Sequence, residues 1–137
     1  MSAITITAAN VVPVAGAEID KSRNAGATIT AGQAVYLDEN TNTYKLADAN
    51  LSAAASVVAG IALNGASAGQ PLGVLTGGSV TIGATLTKGT IYVLGATAAG
   101  DISPAGDLTT GWYRSIIGVA TTTAILAVKI FNSGVTD

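Results

Sequence analysis

The sequence contains no cysteine and no histidine. The first absence removes disulfides, thiolate nucleophiles and cysteine-based zinc sites together, and leaves the redox compartment open. The second removes the commonest general base, the commonest metal ligand and the one unperturbed side chain that titrates near neutral pH. Charge is also scarce: Asp, Glu, Lys and Arg make up 10% of the chain, against about 25% in an ordinary soluble domain. Aromatics make up 4% and are too scattered to form a stacking platform for bases or sugars. Long apolar runs are missing. The longest, residues 53–63, contains Ser56 and Gly60, and a membrane helix needs about 20 apolar residues. Residues 1–7 lack the positive charge and apolar run of a signal peptide. The expectation is a cytosolically made protein without a membrane anchor.

This alphabet removes most familiar catalytic constellations and still allows Ser–Lys, threonine or carboxylate chemistry in principle. The carboxylates at Glu18, Asp20, Asp38, Glu39, Asp48, Asp101 and Asp107 all fall in predicted loops or turns, where Asp caps nearby backbone amides. No pair is set up for acid–base work. Asp38, Asn40 and Asn42 have the spacing that opens a calcium loop, but the glycine and glutamate such a loop needs are replaced by Thr43 and Ala49. Gly73, Gly77 and Gly78 are not followed by the Lys-Ser or Lys-Thr of a phosphate loop. The reading is therefore not an enzyme, with no catalytic residue, no cofactor and no metal. Six Lys and Arg are spread singly against eight Asp and Glu. The nearest cationic cluster, Lys21 with Arg23, is neutralised by Glu18 and Asp20. Nucleic-acid affinity draws on clustered cations, so no direct nucleic-acid partner is expected, and no membrane partner either.

What the chain does have is 49% hydrophobic residues and 17 glycines in 137 positions. That is enough for one domain, burying roughly 70% of the surface its unfolded chain exposes. Apolar, β-branched runs recur about every dozen residues between Gly, Asn, Asp and Pro, the pattern of short strands joined by turns. Strands are expected at 11–14, 27–30, 33–38, 43–46, 56–63, 71–76, 79–83, 90–94, 112–120 and 124–131. In the last, Ile125, Ala127, Lys129 and Phe131 alternate with Leu126, Val128 and Ile130. Residues 46–55 alone invite a helical turn, after a cap at Asp48 or Asn50. Asn64-Gly65 and Gly77-Gly78 read as turns.

An internal repeat runs through the pattern. Thr30-Ala31-Gly32 before Tyr36-Leu37 matches Thr87-Lys88-Gly89 before Val93-Leu94, and Val57 to Ala62 matches Ser115 to Ala120. The offset stays near 57 residues. The fold class expected is all-β: a small β-barrel or β-sandwich from two repeated β-units, spanning 27–137. Gly60 and Gly118 interrupt equivalent strands, where glycine marks a bulge or sharp bend. Residues 1–26 stand outside the repeat as an edge strand with a surface loop, or as an extended N-terminal arm that contacts a neighbouring subunit. A surface this poor in charge is weakly defended against association, so a homo-oligomer is expected. The protein-interface candidates are Glu18, Asp20, Lys21 and Arg23 in the N-terminal segment, and Trp112, Tyr113 and Arg114.

Over residues 27–131 the chain resembles the head-decoration, or capsid cement, proteins of tailed bacteriophages. The resemblance lies in Thr30-Ala31-Gly32 before Val35-Tyr36-Leu37, in Val58-Ala59-Gly60-Ile61-Ala62 and in Pro71-Leu72-Gly73-Val74-Leu75-Thr76-Gly77-Gly78. It continues through residues 95–107, Gly111-Trp112-Tyr113 and Ile117-Gly118-Val119-Ala120. It implies a β-domain on the outer surface of the virion head, clustered as trimers on the major capsid protein lattice. It also implies no catalysis: the protein adds interface area after the shell expands. A tail tube, tail-tip or head-fibre component shares this composition, and a bacterial surface β-module is a further alternative.

Overall fold

A computed structural model describes residues 3–95, 98–107 and 110–136. Ten strands are β1 (Val12–Pro13), β2 (Glu18–Asn24), β3 (Ala34–Asp38), β4 (Thr43–Leu46), β5 (Gly60–Ala62), β6 (Pro71–Thr81), β7 (Ile91–Leu94), β8 (Ile102–Pro104), β9 (Tyr113–Ala120) and β10 (Ile125–Thr136). The protein is all-β, and its helical content among the described residues is confined to short 3-10 turns.

The strand order is β4-β3-β5-β6-β10-β9-β7-β8, with β1 and β2 added along β6. Read from its two ends, this order is the same unit twice. In each half a hairpin (β3–β4, β7–β8) pairs through its first strand to a glycine-bearing strand (β5, β9), which pairs to a long one (β6, β10). The ordered motif matches in the sequence are this duplication. Gly32 and Gly89 occupy equivalent turns and both have positive φ, +94° and +83°, a conformation in which a side chain is strained.

Strand β6 belongs to both halves. Its first part pairs with β5 and β2, its second part with β10 and β1. The sequence predicts two strands parted by a Gly77-Gly78 turn. The structure instead runs one strand through those positions. Gly78 has φ +95°, and a Cβ there would lie 2.8 Å from Ala17 Cα. Gly78 leaves room for Ala17, between β1 and β2, to lie against β6 where its pairing passes from one half to the other.

Each half curls, and backbone hydrogen bonds bridge its open side. In the first half Ala25 bridges Tyr44, with Gly26 N donating to Tyr44 O at 2.7 Å. In the second, the segment before β1 donates from Ile4 N to Ile102 O at 2.9 Å and from Thr7 N to Gly83 O at 2.8 Å. One core cluster includes Ile61, Leu75, Val80, Tyr92, Leu94, Ile117 and Leu126, and the smaller one Ile29, Val35, Tyr44, Leu72 and Val74. Burying a large aliphatic side chain contributes about 1.5–3 kcal/mol, so these positions hold the fold.

Several local expectations change. Residues 27–30 contribute only the Ile29–Ala66 bridge. Residues 46–55 give no α-helix, and Ala54–Ser56 is a single 3-10 turn. β2 and β8 are strands although their sequences, EIDKSRN and ISP, are polar or proline-bearing. They sit beside a neighbour strand that supplies the backbone partners, and so need no apolar run of their own.

Candidate interaction surface

Alternation along β10 sends Leu126 and Val128 into the core and leaves Ala127 facing out. Beyond them the register to β9 shifts: Val128 is level with Gly118, and Phe131 with Ile116. The extra residue is a bulge, which re-aims side chains. Ile130 packs on the larger core, while Lys129 and Phe131 are exposed. Ala127 stands beside Val119, and Val119 beside Ile91. The result is an outward apolar face on β7, β9 and β10. Phe131 is 64% exposed, Ile91 43% and Val119 38%. Lys129 lies among these residues and forms no ion pair among the described residues. Gly118 makes the face possible, because a Cβ there would collide with Ala127 O.

A groove lies between β3 and the 54–57 segment, with Tyr36, Leu37, Asp38, Glu39, Ala54 and Val57 in its lining. The segment is drawn onto β3 by Ala59 N donating to Val35 O at 2.8 Å. It is fixed to β10 by Asn132, whose Oδ1 accepts from Val58 N at 2.9 Å and whose Nδ2 donates to Val58 O at 3.1 Å. Ser115 Oγ, on the neighbouring strand, donates to Ser56 O at 2.5 Å. At the groove's rim Lys45 pairs with Asp38 at 2.7 Å, and Glu39 is exposed with no ion pair among the described residues.

The interface candidates read from the sequence fall in two places. Glu18, Asp20, Lys21 and Arg23 lie on β2 in the first half, whereas Trp112, Tyr113 and Arg114 lie at the start of β9 in the second. Glu18 and Lys21 are exposed. Asp20 is instead the centre of an internal clasp: its carboxylate accepts from Ser22 N, Ser22 Oγ, Arg23 Nη1 at 3.0 Å and the buried Tyr44 hydroxyl at 2.6 Å. Arg23 Nε also donates to Asn42 Oδ1 at 3.1 Å. These contacts fasten β2 to the β3–β4 hairpin. Trp112 is half-buried against the larger core, Tyr113 N donates to Ala49 O at 2.8 Å, and Arg114 O accepts from Ser133 Oγ at 2.6 Å. The exposed apolar face was not among the sequence candidates, although the alternation placing Ala127, Lys129 and Phe131 together was its signal.

The clasp sets a pH dependence. Ser22, then Tyr44, hydrogen-bond the Asp20 carboxylate and hold its pKa far below the usual range. Burial, followed by Asp20, pushes the Tyr44 phenol up to about 12. Lys45, first, and the Asn40 amide lower Asp38. A carboxyl with a depressed folded pKa contributes stability that is present above its unfolded value, about 3.9, and is lost as pH falls toward the folded value. Asp101 runs the other way, raised by burial and by Asp48. Stability measured by urea unfolding is expected to fall below about pH 4. Asp20→Asn should flatten that fall and lower the neutral-pH value by about 1–2 kcal/mol, since the buried Tyr44 hydroxyl loses its charged acceptor. An unchanged acid limb in Asp20→Asn means the clasp carries no stability.

Among the described residues no group of three or more Asp or Glu is placed to hold a metal, and no helix is long and apolar enough to cross a membrane. In comparison with known proteins, the chain matches no family model and no curated protein.

Proposed function

We propose that this chain is a structural virion protein that binds the outer surface of the major capsid protein lattice and stabilises the expanded head. The observation that carries the reading is the apolar face of β7, β9 and β10, exposed on a body of paired strands with little surface charge. Contiguous exposed apolar surface marks a site of protein association. The resemblance over residues 27–131 to phage head-decoration proteins supports the head as the place where it associates. A contact that is modest singly becomes strong when repeated over a lattice. On this reading the protein is made in the host cytoplasm, acts on the head exterior, uses no cofactor and catalyses nothing.

The test is co-sedimentation of the purified protein with expanded phage heads that lack their decoration protein. The expected result is saturable binding at a fixed ratio to the major capsid protein, with a raised melting temperature of the heads. Heads that sediment bare at micromolar protein overturn the reading, and tubes or fibres formed by the protein alone replace it with a tail or fibre component.

A further inference from the structure

We propose that Asn64-Gly65 is a modification site that the closed fold keeps silent and that opening of the β5–β6 connection switches on, converting Asn64 to aspartate or isoaspartate. Among the asparagines only Asn64 is followed by glycine. A following residue without Cβ lets its backbone nitrogen approach the asparagine side chain. In the reaction Gly65 N loses its proton and bonds to Asn64 Cγ, and the Cγ–Nδ2 bond breaks to release ammonia. The succinimide ring so formed takes up one water. Ring opening at Cγ gives aspartate on the original backbone. Opening at the Asn64 backbone carbonyl gives isoaspartate, whose main chain runs through the side-chain carbons.

Asn64 and Gly65 are both exposed, and Gly65 N makes no hydrogen bond among the described residues. Neither water nor the attacking nitrogen is blocked, so the restraint falls on the asparagine side chain. Its Oδ1 accepts from Gly73 N at 2.8 Å, and its Nδ2 donates to Pro71 O at 3.2 Å and to Gly65 O at 3.1 Å. β5 pairs with β6 as far as Ala62 and Val74, and Leu63 N donates to Gly73 O at 2.9 Å. Asn64 then extends that ladder with its side chain. For Cγ to turn toward Gly65 N these bonds must break, which ties the reaction to local opening. Conversion is also one-way. In aspartate the oxygen that replaces Nδ2 is an acceptor facing two carbonyls, and it has no proton to give them. Isoaspartate adds a backbone carbon to a connection that runs into a strand in fixed register. Either product holds the connection less firmly, so a transient opening leaves a permanent mark.

The test keeps the full chain in mildly alkaline buffer, native or unfolded in urea, and follows Asn64 by peptide mass mapping for the amide-to-acid gain and for isoaspartate. Native Asn64 is expected to convert at least about tenfold more slowly than in the unfolded chain, as for any group that reacts only through local opening. Exchange of the Gly73 amide, the donor to Oδ1, reads the clamp itself and is expected to be protected. Gly65→Ala should slow conversion in urea by about tenfold, a comparison that does not depend on the variant's folding. It should also keep the fold, since the φ of Gly65 is not positive and the nearest atom to a Cβ there is Ile29 O at 3.8 Å. Asn64→Asp, which is the product, should melt below wild type. Native conversion as fast as in urea overturns the inference. So does a freely exchanging Gly73 amide, a Gly65→Ala chain that converts like wild type in urea, or an Asn64→Asp protein that melts with wild type. None of these measurements involves heads, so this inference and the proposed function stand or fall separately.

Discussion

Gly118→Ala is expected to destabilise the protein by about 3 kcal/mol or more, enough to prevent folding if the starting stability is ordinary. The added methyl meets backbone and cannot be accommodated by a rotamer change. It would overlap Ala127 O, lie 2.9 Å from Ala127 C and 3.0 Å from Val128 Cα. These atoms belong to the paired strand, so relief requires β9 and β10 to separate at the centre of the sheet, where Leu126 and Val128 enter the core. The duplicated structure supplies a second case. Gly60 occupies the same place in the first half, and a Cβ there would overlap Leu75 O on β6. Gly106→Ala is the control, since no atom lies within 4 Å of its Cβ position and its φ is not positive. It is expected to stay within about 0.5 kcal/mol of wild type. Urea midpoints of the three variants decide the matter. A Gly118→Ala protein with wild-type stability shows that the strands are not held this close.

The second large effect is expected at Asn132. Its side chain satisfies both the N–H and the carbonyl of Val58, a residue that is 3% exposed. Asn132→Leu keeps the volume and removes both partners. Each orphaned buried group costs about 1–3 kcal/mol, so a loss of about 2–4 kcal/mol is expected, with the 54–58 segment opening first. Hydrogen exchange of the Val58 amide reads this locally, and calorimetry reads it globally. Slow exchange at Val58 in the leucine variant shows that another group has taken over the bond.

What the sequence discloses depends on how local the cause is. β4 is read from the sequence with the bounds it has in the structure, because Thr43–Leu46 follows a turn whose chemistry is explicit: Asn42 adopts φ 56° and Asp38 Oδ1 accepts from Asn40 N at 3.0 Å. The duplication is legible because the same glycines recur where two strands approach too closely for a side chain. β2 is not legible. Its charged residues form a strand because β6 offers an unpaired edge, and Asp20 and Arg23 turn toward Tyr44 and Asn42, partners 24 and 19 residues away. The interaction surface is half legible. Alternation puts Lys129 and Phe131 on one side, but the bulge that makes Phe131 project depends on the register between β9 and β10, which no local pattern encodes. The groove depends on Asn132 reaching a backbone 74 residues away.

The sharing of β6 has a mechanical consequence. A duplicated chain ordinarily permits its halves to separate, each retaining its own sheet. Here the strand that completes one half-barrel also starts the other, so no cut between the repeats yields two whole pieces. A pull that parts the halves must shear β6 from β10 and β1 on one side of Gly77-Gly78, or from β5 and β2 on the other. Either row of backbone bonds runs along the strand and resists as a set, whereas an end-on tear would unzip bonds one by one. The duplication thus behaves under load as a single riveted plate, with β6 as the seam and the rivets spaced along it.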